Sequence, residues 1–552
     1  MNRLWLFVCL LLLALPASAQ DSGHGVIMYL DESTTPVSGF EFYECRQVNC
    51  ARPLGLMFPL LFADASDDMA GLVTDAPALP EITQTYTVDS SLTWSDGTAI
   101  TAYDVAYSLL GRNPLVNNPA SPLVGLRIED DQQITLAFTE TDCTTQARIN
   151  SMIVPAHVFN PDFRPFAEAF AAQAEDLSSP GEWREAYIEW SGSGQWQIMP
   201  ATGAVEVLND GFVPVTAGRG TYLQWDDLVL RNVAETGPIL AVDRFLRGDA
   251  NLLLDPPADR HADIQGTPGL QWYAAPGYAV DYLVFNQSDP NYPRDAFIDG
   301  EPLEQLPHQY FSDVRVRQAV QLAIDVPALI DSALFGSATA LNGAYAPGSW
   351  AYDPDLPAQT YDPVAAESLL DAAGWRKINN STYRQCFNCL HAQTGAQLSI
   401  NLHVNYDGTR ERVAEMLRVQ LERVGISLFI SESGNGAGQN FDMLLTGTTN
   451  RDPDLYRLFA REWDRLGVEG GNVGSVHHPE LEAVLDEARR VPGCNLDERA
   501  ALYQQAQAIL LDEAPAVWLY ARHDVYVARD INGFNPMPGD PFWNVKDWVV
   551  GR

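Results

Sequence analysis

The chain has 552 residues, with 34 Lys+Arg against 72 Asp+Glu and a formal net charge of −38. That balance argues against nucleic acid or anionic lipid as partners, because both need clustered cations. At 46% hydrophobic and 19% charged residues the composition is globular, and the length predicts two or more large lobes.

The chain opens with Arg3, an apolar run over 4–15, Pro16 and the small triplet Ala17-Ser18-Ala19. These are the parts of a cleaved secretory signal peptide. The run is shorter than the roughly 20 residues a spanning helix needs. The expected mature chain therefore starts at Gln20, is exported to the periplasm or beyond, and has no membrane span. Cys9 precedes the cleavage site, so no lipid anchor is expected. Six cysteines remain after cleavage: Cys45, Cys50, Cys143, Cys386, Cys389 and Cys494. An even number in an exported chain reads as disulfides, with 45/50 and 386/389 as plausible short pairs. Cys386 and Cys389 with His391 also leave half a zinc site, or free thiols, as open readings.

Further along, 25–30 reads as a buried strand and 86–93 as β-like. Trp94 to Thr98 supplies a tight turn, and Thr101 with Asp104 forms a helix-capping box. The segment 160–190, with Pro161, Pro165 and Pro180, reads as an irregular connection between lobes. Ser312-Asp313 cap a helix through Val316, Val320 and Ile324; Asp325 starts another that ends at Gly336. Asp362-Pro363 opens a helix stopped by Gly374. Leu398, Ile400 and Leu402 alternate as a strand. The stretch 410–424 is an amphipathic helix ended by Gly425, and Ile426, Leu428 and Ile430 form the next strand. That β–α–β order predicts a parallel sheet with packed helices. Asp497 is expected to cap a last long helix, with strands over 516–521 and 525–528 after Pro515.

Enzyme signatures are missing where spacing can test them. No serine sits in a G-x-S-x-G elbow, and none of the nine histidines forms H-E-x-x-H. Neither Lys377 nor Lys546, the only lysines, follows a glycine as a phosphate loop requires. The run Gly434-Asn435-Gly436-Ala437-Gly438 fails G-x-G-x-x-G at Gln439 and reads as a solvent loop. A secreted hydrolase with an unrecognised carboxylate site stays open as an alternative. No cofactor is expected.

Four stretches in order carry a resemblance. They are Trp94-Ser95-Asp96-Gly97 followed by Thr101-Ala102-Tyr103-Asp104-Val105; Tyr282-Leu283-Val284-Phe285-Asn286 followed by Asp313-Val314-Arg315-Val316-Arg317 and Ala323-Ile324-Asp325; Tyr361-Asp362-Pro363 through Ala373-Gly374-Trp375; and Asp497-Glu498-Arg499 through Glu513-Ala514-Pro515. Together they resemble the family 5 solute-binding proteins of bacterial ABC importers, the oligopeptide, dipeptide and nickel-binding group. The likeness spans about residues 90–515.

The resemblance implies an α/β, two-lobed periplasmic-binding-protein-like fold of type II, with an extra small domain inserted in the first lobe. It places the first lobe at 20–276, including the small domain at about 63–185, the second lobe at 277–514, and a return to the first lobe at 515–552. It implies a monomer that captures a peptide or similar small solute between its lobes and hands it to permease and ATPase subunits. Use of the same fold as a sensor or chaperone is the other reading. The motif residues themselves read as structural: Asp96-Gly97 as a turn, Asp104 as a cap, Arg315 and Arg317 as partners of local carboxylates. The loop Asn450-Arg451-Asp452-Pro453-Asp454 is similar to the D-P-D loop of dipeptide binders, where an aspartate takes the peptide's α-ammonium. By position Asp452 is the first candidate and Asp454 the second; a solvated turn is the other reading. Arg451 is the candidate if the solute is neutral or anionic. Tyr43, Tyr278, Trp350 and Trp463 sit in expected loops near the lobe connections, as pocket walls or as ordinary packing.

Overall fold

The structure, a computed structural model, describes residues 25–29, 58–62, 72–75, 81–94, 96–112, 122–173, 176–192, 227–231, 238–298, 301–378, 381–405, 407–433, 436, 438–449, 453–467 and 470–550. The expected signal peptide and the Cys45/Cys50 pair lie outside them. Among the described residues no helix is long and apolar enough to cross a membrane.

Two long strands organise the chain, Leu270–Phe285 and Ala516–Arg529, which pair antiparallel. At about 3.3 Å per residue the first is some 50 Å long, enough to run through two bodies. At one end lie the mutually parallel strands Ser427–Ser433, Ser399–Asn405 and Met443–Thr449, the last antiparallel to Leu270–Phe285. At the other end Leu252–Leu254 pairs with residues 526–528, and Gly25–Tyr29 and Asp227–Arg231 continue the sheet in parallel. Along its outer edge Ala516–Arg529 thus changes neighbour. Ala338–Ala340 lies against residues 520–522, and Leu252–Leu254 takes over further on. The expected pair of short strands after Pro515 is one continuous strand.

The β–α–β order read from sequence is present. Val314–Leu322, Val326–Ala333, Pro363–Ala372 and Gly408–Arg423 cover one face of the sheet around Leu283, Phe285, Val320, Leu402 and Leu417. Asp313, Asp325, Asp362 and Asp407 each cap a helix by accepting backbone N–H groups. The other face holds Tyr282, Val284, Leu444, Tyr503 and Trp518 against Pro479–Arg489 and Leu496–Glu513. The cap of that last helix is Asn495, which accepts from Asp497 N and Glu498 N at 3.0 and 3.1 Å. The expected cap, Asp497, lies instead inside the first turn of the helix.

A separate body is built on the antiparallel sheet Val73–Asp75, Thr83–Val88, Gln133–Phe138 and Leu123–Ile128. Ala102–Arg112 packs on it, and Asp104 accepts from Thr101 N at 2.8 Å and Ala156 N at 2.7 Å. The segment expected to be an irregular connection instead forms two helices of this core, Phe163–Ala171 and Pro180–Ser191. Their prolines sit in first turns, where the missing N–H costs nothing. Ser179 and Glu182 complete a capping box, and Phe166, Trp183 and Tyr187 pack together.

The motifs prove to be fasteners. Asn286, fully buried, donates to the carbonyls of Gln439 and Phe441 at 2.9 and 3.0 Å and accepts from Ser288. Arg315 pairs with Asp313 as expected. Arg317 does not stay local. It donates to the Glu513 carbonyl at 2.9 and 2.7 Å, capping a helix 196 residues away, and burial pushes its pKa down to about 10. Asn286→Ala would strip two buried carbonyls of their donor. A loss of about 1–3 kcal/mol in urea unfolding is expected, with no change in the folded-state circular dichroism.

Candidate functional site

Solutes in open α/β sheets bind beyond the carboxyl ends of the parallel strands. Here those ends are Asn405, Ser433 and Thr449, and beside them the two long strands cross between bodies. The ladder breaks at that crossing. Register shifts fall between Trp518 and Tyr520 and between Ala521 and His523, so Leu519 and Arg522, with residues 277–279 opposite, leave the pairing between these two strands. Such bulges bend a strand and re-aim its side chains. A Cβ on Gly277 would overlap the Asp524 carboxylate, so a larger residue at the bend would have to displace that side chain.

An ion cluster fills one face of the crossing. Asp281, almost fully buried in an otherwise apolar strand, accepts from Arg410 Nε and Nη2 at 2.8 and 2.7 Å and from Arg522 Nε at 2.6 Å. Arg522 Nη1 donates to Asp407 at 2.8 Å, and Asp407 caps the helix that carries Arg410. Two acids and two arginines thus neutralise one another. Burial opposes charge on Arg522, but Asp281 and Asp407 outweigh it and raise its pKa. Burial likewise works against the Asp407 carboxylate, but the Arg522 charge and hydrogen bonds hold its pKa below the usual value. Gly447 is required beside them, since a Cβ there would run into Arg410 and Asp281.

On the opposite face a small cavity of ≈ 20 Å³ is lined by Tyr278, Val280, Tyr345, Ser349, Thr448 and Pro453 among others. That is room for about one water. Tyr278 donates to the Gly348 carbonyl at 3.3 Å, and Tyr345 Oη to the Pro453 carbonyl at 2.9 Å. The fold therefore brings the expected Tyr278 to the loop that ends in Pro453-Asp454. Trp350 follows the lining residue Ser349, and its ring carries Arg499 at 5.0 Å and Tyr503 at 5.7 Å. Asp454 accepts from Tyr456 N at 3.0 Å and faces Arg489 Nε at 3.4 Å, as a turn-capping, ion-paired group. Trp463 is not among the lining residues. Its ring carries Arg457 at 4.7 Å, and its carbonyl accepts from Gly471 and Asn472. Tyr43, Arg451 and Asp452 lie outside the described residues.

Sequence reading missed the cluster and the cavity residues Tyr345, Ser349 and Thr448. A signal for the cluster was present: Asp281 and Arg522 each interrupt an apolar run, and a charge so placed needs a partner. Cys386 and Cys389 are bonded to each other, and Cys143 is bonded to Cys494. Among the described residues no three or more His, Cys, Asp or Glu side chains are grouped to hold a metal ion.

Two bodies joined by crossing strands define a two-lobed α/β fold of the periplasmic-binding-protein kind. The chain belongs to the bacterial extracellular solute-binding proteins, family 5, whose model matches residues 81–463. It is 24% identical over 347 residues to a dipeptide-binding protein of Pseudomonas aeruginosa, covering 60% of this chain and 58% of that relative. The chain thus spans under two thirds of the length of that curated relative. In fold it is similar to the oligopeptide-binding protein AppA of Bacillus subtilis in complex with a nonapeptide, with TM-score 0.65, 15% identity, and 96% and 99% of the two chains covered. It is also similar to NikZ of Campylobacter jejuni in complex with Ni(L-His), with TM-score 0.65, 17% identity, and 96% and 99% covered.

Two outcomes test the cluster. Asp281→Asn leaves two arginines facing an uncharged group, and a loss of about 3–5 kcal/mol by denaturant titration is expected. The pKa of Asp407 is lowered in the fold, so its contribution is full above about pH 4 and disappears as pH falls through the depressed value. In wild type, stability should therefore drop as pH falls below about 4. Asp407→Asn should flatten that slope; an unchanged slope would remove Asp407 from the account.

Proposed function

We propose that this chain is the extracytoplasmic receptor of an ABC importer, capturing a peptide or similar small solute and delivering it to permease and ATPase subunits. The observation that carries the reading is the bulged crossing of Leu270–Phe285 and Ala516–Arg529 beside the cavity. It supplies a bend between two cores and a mostly apolar cavity, walled in part by Tyr278 and Tyr345, at the bend. A relative named for dipeptides and a neighbour holding a nonapeptide support a peptide; the neighbour holding Ni(L-His) keeps a metal chelate as an arm of the test.

In this reading the lobes meet near Gly277 and again after Ala514, and the exported chain starts at Gln20. The cavity is lined by second-lobe residues alone, so it serves as one wall of the site, and the solute fills the space between that wall and the first lobe. Asp452 accepts the peptide ammonium, Tyr278 and Trp350 supply apolar wall, and Asp454 shapes the loop through Tyr456 and Arg489.

Calorimetry with a mixture of dipeptides to pentapeptides, the same mixture N-acetylated, and Ni(II)–histidine separates the solute classes. Asp452→Asn should weaken binding of free peptides by about 2–5 kcal/mol, roughly 30-fold or more. Asp454→Asn should cost affinity less. At a hundredfold excess over Kd the bound solute should add about 2.7 kcal/mol of stability, seen as a higher Tm. Equal binding of free and acetylated peptides would remove the ammonium contact. Binding of none of the probes would remove the peptide and chelate readings.

A further inference from the structure

The small antiparallel domain is fixed to the second lobe at a place far from its own chain neighbours. Cys143, five residues beyond the strand Gln133–Phe138, is bonded to Cys494, 351 residues on, with Cα atoms 5.4 Å apart. Cys494 lies between the helices Pro479–Arg489 and Leu496–Glu513, both in the core of the second lobe.

The bridge is not isolated. Cys143 N donates to the Arg489 carbonyl at 2.8 Å, and the Arg489 guanidinium pairs with Asp142. Asp142 is held in turn by Thr144, whose backbone N–H and hydroxyl donate to it at 2.9 and 2.6 Å. Arg489 also faces Asp454 and lies over the Tyr456 ring at 4.6 Å. Burial opposes charge on Asp142, but Arg489 and the Thr144 hydrogen bonds outweigh it and lower its pKa, so the pair stays ionised at neutral pH. One arginine therefore joins three parts: the small domain through Asp142, the second lobe through its own helix, and the candidate site loop through Asp454.

We propose that the small domain is mechanically part of the second lobe, bolted there by Cys143–Cys494 and the Arg489 clamp. By chain order it belongs with the first lobe, and a small domain inserted there would be expected to travel with it. A covalent bond with a backbone hydrogen bond and a partly buried ion pair beside it opposes that. The moving element is then the far half of the crossing sheet, Leu252–Leu254 with residues 523–529. It swings at Gly277 and the bulges against one body made of the small domain, the second lobe and the loop carrying Asp454. This rests on the hinged reading of the fold but not on the identity of the solute.

The test places a pair of spin labels on non-canonical residues, leaving the native cysteines intact, and measures distances by pulsed resonance. Exposed Glu189 reports the small domain, exposed Val419 the second lobe, and exposed Asp249 the first-lobe sheet. In the full-length wild type the 189–419 distance should be one narrow distribution, the same with and without the peptide mixture. In the variant C143S/C494S/R489Q it should broaden. A narrow 189–419 distance supports the bolt whether or not peptide shifts 249–419, so failure of the transport reading would show separately, as a static 249–419. A 189–419 distance that is broad in wild type, or that moves with peptide as 249–419 does, overturns the proposal. So does a 189–419 distribution that stays equally narrow in the triple variant. Should that variant not fold, the wild-type measurement alone decides.

Discussion

The fold depends on an aspartate where an apolar side chain would be expected. Asp281 sits almost fully buried in Leu270–Phe285, and two arginines from different segments converge on it. A lone carboxylate in that place would cost several kcal/mol. Its partners are therefore obligatory, and each brings structure with it. Arg410 fixes the first turn of Gly408–Arg423, and Arg522 fixes the bulge that takes Ala516–Arg529 out of register. Gly447 has to be glycine so that the neighbouring strand can pass the cluster. A buried ion cluster is a poor source of net stability beside well-packed apolar residues. Its use here is to hold two bulged strands and a helix start in one arrangement at the bend.

From that bend the rest can be followed outward. Toward one end the sheet becomes parallel, and its helices bury Leu402, Leu417 and Val320 on one face. The opposite face carries Tyr278 and Val280 to the cavity, alongside Thr448 and Pro453. Charge on one side of the strands and the cavity on the other is a consequence of the period-2 alternation of strand side chains. The loop beyond Met443–Thr449 is held at Asp454 by Arg489, and the same arginine reaches the small domain through Asp142. Site loop, second lobe and small domain are linked through a single guanidinium.

Much of the fold was legible because its signals are local. Asp313, Asp325, Asp362 and the glycines at 336, 374 and 425 mark helix ends through contacts within a few residues. At the last long helix the cap expected at Asp497 falls two residues earlier, on Asn495, because either side chain suits a helix start. Prolines misled over 160–190 because Pro165 and Pro180 are compatible with first turns of helices. The strand after Pro515 looked broken because Arg522-His523-Asp524 are polar, and each has a polar partner: Arg522 pairs with Asp281 and Asp407, His523 with Thr339, and Asp524 accepts from Gly539 N. The site was less legible, being assembled from residues far apart in the chain. Asp281 meets Arg522 across 241 positions and Cys143 meets Cys494 across 351, separations no window of local pattern contains.

The central claim is that the chain bends at one crossing and closes there on a solute. Small-angle X-ray scattering of the purified mature protein, alone and saturated with a peptide mixture, tests it most directly. The account predicts a smaller radius of gyration with peptide, with the Cys143–Cys494 and Cys386–Cys389 bridges intact. A scattering curve unchanged by a peptide that calorimetry shows to be bound would contradict it.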